Sequence, residues 1–311
     1  SSMKKKMMFL LLIITILLFP VKINALNTTE AKEKIDTSRT GTLALNFVYD
    51  DLKFNNIEVK LYHIANFTED YQFEMTSNFA SYKIKLNGLK TDEEWNSVKE
   101  TLDSYIEADA IDFDDIKSIS NNSVSFTGLT PGLYYVKVPV ITSDKYILRF
   151  ENVLISVPEL YEDGTWNYEV KAFTKAESYE PIYEEVRYSV VKVWKDKKWN
   201  RPNNVDIEIY KDGQFIEKVT LSSDNNWSYS WVALEDGSSW KVVERNVPKG
   251  YTVSIRENNY KFTVVNSDEP DNPRTGDNIN LYMYLFVASF SGLALLSIGL
   301  IMKDKKNLNE N

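Results

Sequence analysis

The feature that most restricts how this chain can fold is a recurring alternation of apolar and polar residues in short runs, each closed by turn residues. Thr42-Leu43-Ala44-Leu45-Asn46-Phe47, Ile57-Glu58-Val59-Lys60-Leu61-Tyr62, Val124-Ser125-Phe126 and Leu133-Tyr134-Tyr135-Val136-Lys137-Val138 carry it, and they are rich in Val, Ile, Tyr and Phe. A period of two sends successive side chains to opposite faces of a strand, so each run has one face to bury. Such runs predict antiparallel strands packed face to face, an all-β chain of two sandwich domains in tandem. One segment departs from the pattern. Thr91-Asp92-Glu93-Glu94 has the spacing of a capping box, and Trp95, Val98, Leu102 and Ile106 follow on one helical face. Thr91 to Ala108 is therefore read as an amphipathic helix inserted in the first domain and packed on it.

The two ends read differently from the middle. Lys4-Lys5-Lys6, an apolar stretch from Met7 to Phe19, and a small residue at Ala25 follow the order of a secretory signal peptide over residues 3–25. The apolar stretch is shorter than the roughly 20 residues a spanning helix needs. Leu281 to Met302 carries no charge and is long enough to span a bilayer as a helix. Lys303, Lys305 and Lys306 follow at once, which places residues 303–311 in the cytoplasm as a basic tail. Residues 26–280 are then outside the cell. Within them, residues 26–40 are a polar, flexible leader, 41–175 the first domain and 176–186 an acidic connector containing Pro181. The second domain covers 187–268, and 269–280 is a spacer with Pro270 and Pro273 that keeps its own backbone extended.

Composition excludes several functions. The formal net charge of −9 argues against nucleic acid as a partner, because phosphate binding needs clustered Lys and Arg. One histidine, His63, and no cysteine leave no His/Cys metal site and no histidine-based triad. Neither a cofactor site nor a conventional enzyme is expected. An exported chain without cysteine relies on self-sufficient cores or on a cross-link that needs no sulfur.

Strand parity in the second domain points to such a cross-link. Lys192 shares a face with Val190 and Trp194, Glu244 with Trp240 and Val242, and Asn266 with Phe262 and Val264. All three polar groups are thus expected in an aromatic core, where an unpartnered charge is very costly. Burial favours a neutral Lys192 amine and a protonated Glu244. A neutral amine beside a carboxamide can attack it, release ammonia and leave a Lys192–Asn266 isopeptide bond, with Glu244 shuttling the proton. Parity alone is equally compatible with a buried Lys192–Glu244 ion pair and an Asn266 that only ends its strand.

Lys192-Val193-Trp194, the run Arg201-Pro202-Asn203-Asn204-Val205-Asp206-Ile207-Glu208-Ile209-Tyr210-Lys211-Asp212-Gly213, Trp227-Ser228-Tyr229, and Trp240 through Tyr251 together resemble the collagen-adhesin B-type (Cna B) domain. The resemblance implies an immunoglobulin-like sandwich, and it places Glu244 on the family's catalytic glutamate, Lys192 on its first-strand lysine and Asn266 on its last-strand asparagine. The first domain is similar, more loosely, to the N-terminal domain of sortase-assembled pilins, on Phe126 through Tyr134, Leu154 through Pro158 and Gly164 through Val170. Its first strand holds no lysine and Leu133 to Lys137 no glutamate, so no cross-link is expected inside it. Trp166 through Lys175 resembles the pilin motif, with Phe173-Thr174 in place of Tyr-Pro, which makes Lys175 the candidate acceptor of another subunit's threonine carboxyl.

Asn272-Pro273-Arg274-Thr275-Gly276, the apolar run and the lysine tail, in that order, resemble a cell-wall sorting signal. The resemblance implies cleavage by a sortase after Thr275 and transfer of that carbonyl to an amine. The expected product is a subunit anchored to the cell wall or built into a pilus, with a minor or basal position preferred to the shaft. Expected partners are the sortase, peptidoglycan or other pilins. A free-standing adhesin for a host matrix protein or glycan is the alternative.

Overall fold

The computed structural model describes residues 31, 33–143, 147–197 and 201–268. The expected signal peptide, the expected sorting motif Asn272–Gly276 with its spacer, the long apolar run and the basic tail fall outside these residues. Among the described residues no helix is long and apolar enough to cross a membrane.

The first unit comprises β1 (Gly41–Val48), β2 (Glu58–Phe67), β3 (Phe73–Met75), the helix α1 (Asp92–Ala108), β4 (Asp115–Ser118), β5 (Ser123–Leu129), β6 (Gly132–Lys137), β7 (Ile141–Thr142), β8 (Ile147–Phe150), β9 (Val153–Val157), β10 (Glu159–Leu160), β11 (Trp166–Asn167) and β12 (Glu169–Tyr179). The second comprises β13 (Glu185–Lys195), β14 (Asn204–Lys211), β15 (Gln214–Ser222), β16 (Ser228–Leu234), β17 (Trp240–Arg245), β18 (Tyr251–Asn258) and β19 (Lys261–Asp268). Each unit is a sandwich of two main sheets, ordered β5-β1-β12-β8-β7 over β3-β2-β6-β9 with β4 also paired to β2 in the first, which adds a small β10-β11 ribbon, and β16-β13-β19-β18 over β15-β14-β17 in the second. In both, the first and last strands lie side by side and parallel, β1 with β12 and β13 with β19. The all-β expectation with one helical insertion holds.

The alternation seen in the sequence becomes the inside and outside of these sheets. Leu43, Leu45 and Phe47 of β1 face inward, as do Val170, Ala172 and Thr174 of β12. The apolar ones among them belong to a core confined to the first unit, and Thr174 is buried beside them. A second core is shared: it starts on Tyr62, Phe73 and Tyr135, passes through Trp95, Val98, Leu102 and Ile106 of α1, and continues into Ile207, Val242 and Ile255 of the second unit.

The capping box forms as the sequence predicts. Thr91 Oγ1 accepts from the Glu94 N–H at 3.1 Å, and Glu94 Oε2 accepts from the Thr91 N–H at 3.0 Å. Asp92, Glu93 and Glu94 put negative charge at the positive end of the helix dipole. The packing of α1 is where the structure departs from expectation. The helix lies between the two units rather than on the first alone, because Thr101 and Tyr105 are buried together with Leu102 and Ile106, so that its middle is enclosed nearly all round.

Two boundaries also move. β12 runs to Tyr179, which shortens the connector to residues 180–184, and these wrap a buried Glu235: Tyr183 N–H donates to its main-chain oxygen at 2.9 Å and Ile182 N–H to its Oε2 at 3.0 Å. The end of the expected leader packs on the first unit. Ile35 is 5% exposed, Asp36 N–H donates to the Tyr168 hydroxyl at 2.9 Å, and Trp166 Nε1–H donates to the Glu33 carbonyl at 3.0 Å.

Candidate functional site

The interior of the second sandwich holds three polar side chains. Lys192 enters from β13 and Asn266 from β19 in the same sheet, where Lys192 stands opposite Val264 and Trp194 opposite Asn266. Glu244 enters from β17 in the facing sheet. Exposures of 4%, 2% and 0% for Lys192, Glu244 and Asn266 bear out the parity argument.

Lys192 Nζ lies 3.5 Å from Glu244 Oε2, and Asn266 Nδ2–H donates to the same oxygen at 2.9 Å. Asn266 Nδ2 also approaches the Thr252 carbonyl at 3.3 Å. The amine sits 4.2 Å above the Trp194 ring, which packs edge-on against Trp227 and Tyr251. At the rim, Asp196 accepts from Tyr251 OH and from Arg201 Nη2, both at 2.5 Å.

Burial drives the electrostatics. It lowers the Lys192 ammonium to about 8, against the opposing attraction of Glu244. It raises the Glu244 carboxyl, against the opposing charge of Lys192 and the hydrogen bond from Asn266. Both shifts run toward the neutral forms, an amine and a carboxylic acid, and weaken the ion pair. Glu244 Oε1 and Asn266 Oδ1 have no hydrogen-bond partner, which is costly in a closed core. A proton on Glu244 would make one of its oxygens a donor, the kind of partner that Asn266 Oδ1 lacks. The arrangement thus offers an amine, an acid–base group and an amide carbon within one buried cluster.

Lys175 is not part of this group. It lies on the outward face of β12, opposite Val48, with its main-chain oxygen accepting from Glu151 N–H at 3.2 Å and its side chain half-buried. The first sandwich has apolar or hydroxyl side chains at the matching places: Leu45 and Phe47 of β1 stand where Lys192 and Trp194 stand in β13, and Thr174 stands opposite Phe47 as Asn266 stands opposite Trp194.

One neighbour of the site escaped the sequence reading. Tyr105 of α1 donates its hydroxyl proton to the Glu244 carbonyl oxygen at 2.9 Å. The only signal for it was an aromatic residue one position from the Leu102/Ile106 stripe, and periodicity does not say which domain such a residue touches.

Residues 188–267 match the family model described as the Cna protein B-type domain. The second unit is a Cna B-type domain. Over 90 residues the chain is 29% identical to the collagen adhesin of Staphylococcus aureus, covering 26% of this chain and 8% of that protein. The chain therefore spans less than a tenth of the length of the curated relative it matches. Among solved structures, a single B repeat unit of the collagen-binding surface protein of Staphylococcus aureus aligns at 16% identity and a TM-score of 0.26, over 75% of this chain and 100% of that one. The shaft pilin SpaA of Lactobacillus rhamnosus GG aligns at 13% identity and a TM-score of 0.26, over 75% and 100%. The major pilin SpaD of Corynebacterium diphtheriae aligns at 12% and 0.27, over 76% and 99%. The assignment of residues 188–267 rests on the family-model match.

Proposed function

We propose that the protein is a structural subunit of a Gram-positive cell surface, a pilus component or a wall-anchored adhesin, whose Cna B-type domain cross-links itself. The observation that supports this most is the burial of Lys192, Glu244 and Asn266 against one another with both ionisable groups shifted toward their neutral forms. In the proposed reaction the neutral Lys192 Nζ attacks Cγ of Asn266. Glu244 takes a proton from the amine and delivers it to Nδ2. The Cγ–Nδ2 bond breaks, ammonia leaves, and an amide joins Nζ to Cγ. Each molecule reacts once, so this is self-modification rather than enzyme turnover.

Anchoring is assigned to the sorting motif, Asn272-Pro273-Arg274-Thr275-Gly276. A sortase is expected to cleave after Thr275 and pass its carbonyl to an amine of peptidoglycan or of another pilin. The half-buried setting of Lys175, within a paired strand, favours a minor or basal position over the shaft, where that lysine would have to reach a sortase. Mass spectrometry of proteolysed cell-surface polymers tests the assignment. Thr275 joined to cell-wall peptide is the expected result. Thr275 joined to Lys175 of a second copy would make the protein a shaft pilin, and an intact, uncleaved Thr275–Gly276 bond would overturn covalent anchoring.

A further inference from the structure

The two sheets of the Cna B-type domain end, on one side, in the edge strands β17 and β18. A sandwich with two free edges side by side lets water reach its core and leaves main-chain groups unpaired. Here α1 of the first unit lies across that opening. Its Thr101 Oγ1 accepts from Ile255 N–H and its Glu100 Oε2 from Glu257 N–H, both at 2.7 Å. The Lys83 carbonyl accepts from Val253 N–H, also at 2.7 Å. Three alternate N–H groups along β18 are thus bonded by the first unit. On β17 the corresponding contact falls on Glu244 itself, whose carbonyl oxygen accepts the Tyr105 hydroxyl.

The next residue is tied to the same helix end. Arg245 makes a two-point contact with Asp109, Nη1 to Oδ2 at 3.0 Å and Nη2 to Oδ1 at 2.5 Å, and donates from Nε to Glu208 Oε2 at 2.7 Å. Tyr105 is 2% exposed and lies 4.5 Å from the Tyr82 ring, whose hydroxyl donates to Asp109 at 2.5 Å. The stripe Val98, Leu102 and Ile106 completes the wall of the core that contains Val242, Val253 and Ile255.

We propose that α1 is a working part of the cross-linking site: it seals the open side of the Cna B-type domain, and Tyr105 positions Glu244 between Lys192 and Asn266. Tyr105 touches neither reacting atom, so it is a positioning residue. It holds the main chain from which the Glu244 carboxyl projects, and a displacement of that carboxyl by a fraction of an ångström weakens proton transfer sharply. The groups that face Glu244 are Lys192 from β13, Asn266 from β19 and Tyr105 from α1, with Arg245 and Asp109 beyond. Burial holds the Tyr105 phenol in its protonated, donating form. In consequence, docking of the first unit speeds closure of the bond.

This inference rests on the self-cross-linking reading, and one experiment separates the two. The two-unit ectodomain is produced by cell-free synthesis, and its intact mass is followed in time at several pH values. Wild type should lose one ammonia, about 17 Da, and Glu244→Ala should not. Tyr105→Phe, which removes one hydroxyl and little volume, should reach the same final mass about tenfold more slowly. Its rate should also begin to fall with rising pH at a lower pH than in wild type, because a better hydrated Glu244 gives up its proton earlier. Glu93→Ala, which removes an exposed ion pair to Arg256 at the other end of α1, should keep the wild-type rate and profile. A Tyr105→Phe protein with wild-type rate and pH profile overturns the positioning role while leaving the cross-link intact. Equal slowing in Tyr105→Phe and Glu93→Ala overturns it in favour of general docking strength. A wild-type mass that never falls removes the cross-link and this inference together.

Discussion

The two sandwiches share a plan and differ in what they put inside it. Each sets its first and last strands parallel in one sheet. The first fills the space with Leu45, Phe47 and Thr174, whereas the second puts Lys192, Trp194 and Asn266 there and adds Glu244 from across the core. An apolar filling closes such a fold without help, so the polar filling is costly unless its groups are paired or react. A second contrast lies in two lysines of the Cna B-type domain, Lys192 and Lys241. Lys192 faces one carboxyl and is lowered to about 8 by burial. Lys241 is half-buried, and Asp103 at 3.1 Å and Glu257 at 3.2 Å outweigh its desolvation and hold it strongly protonated. Asp103 is in turn pushed up by burial and pulled well below the usual carboxylate range by Lys241 and Lys137. One close carboxyl leaves burial to dominate at Lys192, whereas two hold Lys241 as a cation between the units.

The contrast can be broken at matched positions. The largest effect is expected for Lys192→Met, which keeps length and apolar bulk and removes the amine. It should abolish the mass change and cost about 4 kcal/mol in urea unfolding, the scale of an entropic cross-link closing a loop of roughly 75 residues. Asp103→Ala should cost about 2 kcal/mol in urea unfolding, because it removes the carboxylate that the half-buried Lys137 and Lys241 share while each keeps a second one, Glu107 and Glu257. Leu45→Met, the same new residue at the matching place of the first sandwich, should cost less than about 1.5 kcal/mol. Glu93→Ala should change stability by no more than about 0–1 kcal/mol, since both partners of its ion pair are largely solvated.

The Asp103 group also sets a pH signature. Its folded pKa lies below the unfolded value of about 4, so the unfolded chain binds more protons between the two values and stability rises with pH there. The contribution is complete above the unfolded value and is lost as pH falls through the folded one. The stability gap between wild type and Asp103→Ala should therefore be constant from neutrality down to about pH 5 and close only in stronger acid, as read by urea unfolding at each pH.

Much of this was legible in the sequence because strand parity is a local property. It placed Lys192, Glu244 and Asn266 on inward faces, and the capping box of Thr91 and Glu94 fixed where the helix begins. What it did not reveal is non-local. The stripe of Trp95, Val98, Leu102 and Ile106 declares an apolar face without saying that two cores share it, and the edge status of β17 and β18 appears only once the sheets are ordered. Tyr105 was missed for that reason. The connector looked like a linker because its residues are acidic and polar, but Glu235, far along the chain, supplies the hydrogen bonds that order it.

The central claim is that the second sandwich holds a reactive trio where the first holds an inert one, and intact mass of the recombinant ectodomain tests it most directly. The expected mass is lower than the sequence mass by one ammonia, about 17 Da, with the loss absent in Glu244→Ala and a Lys192–Asn266 cross-linked peptide present after digestion. A wild-type mass equal to the sequence mass would contradict it and leave Lys192 and Glu244 as a buried ion pair.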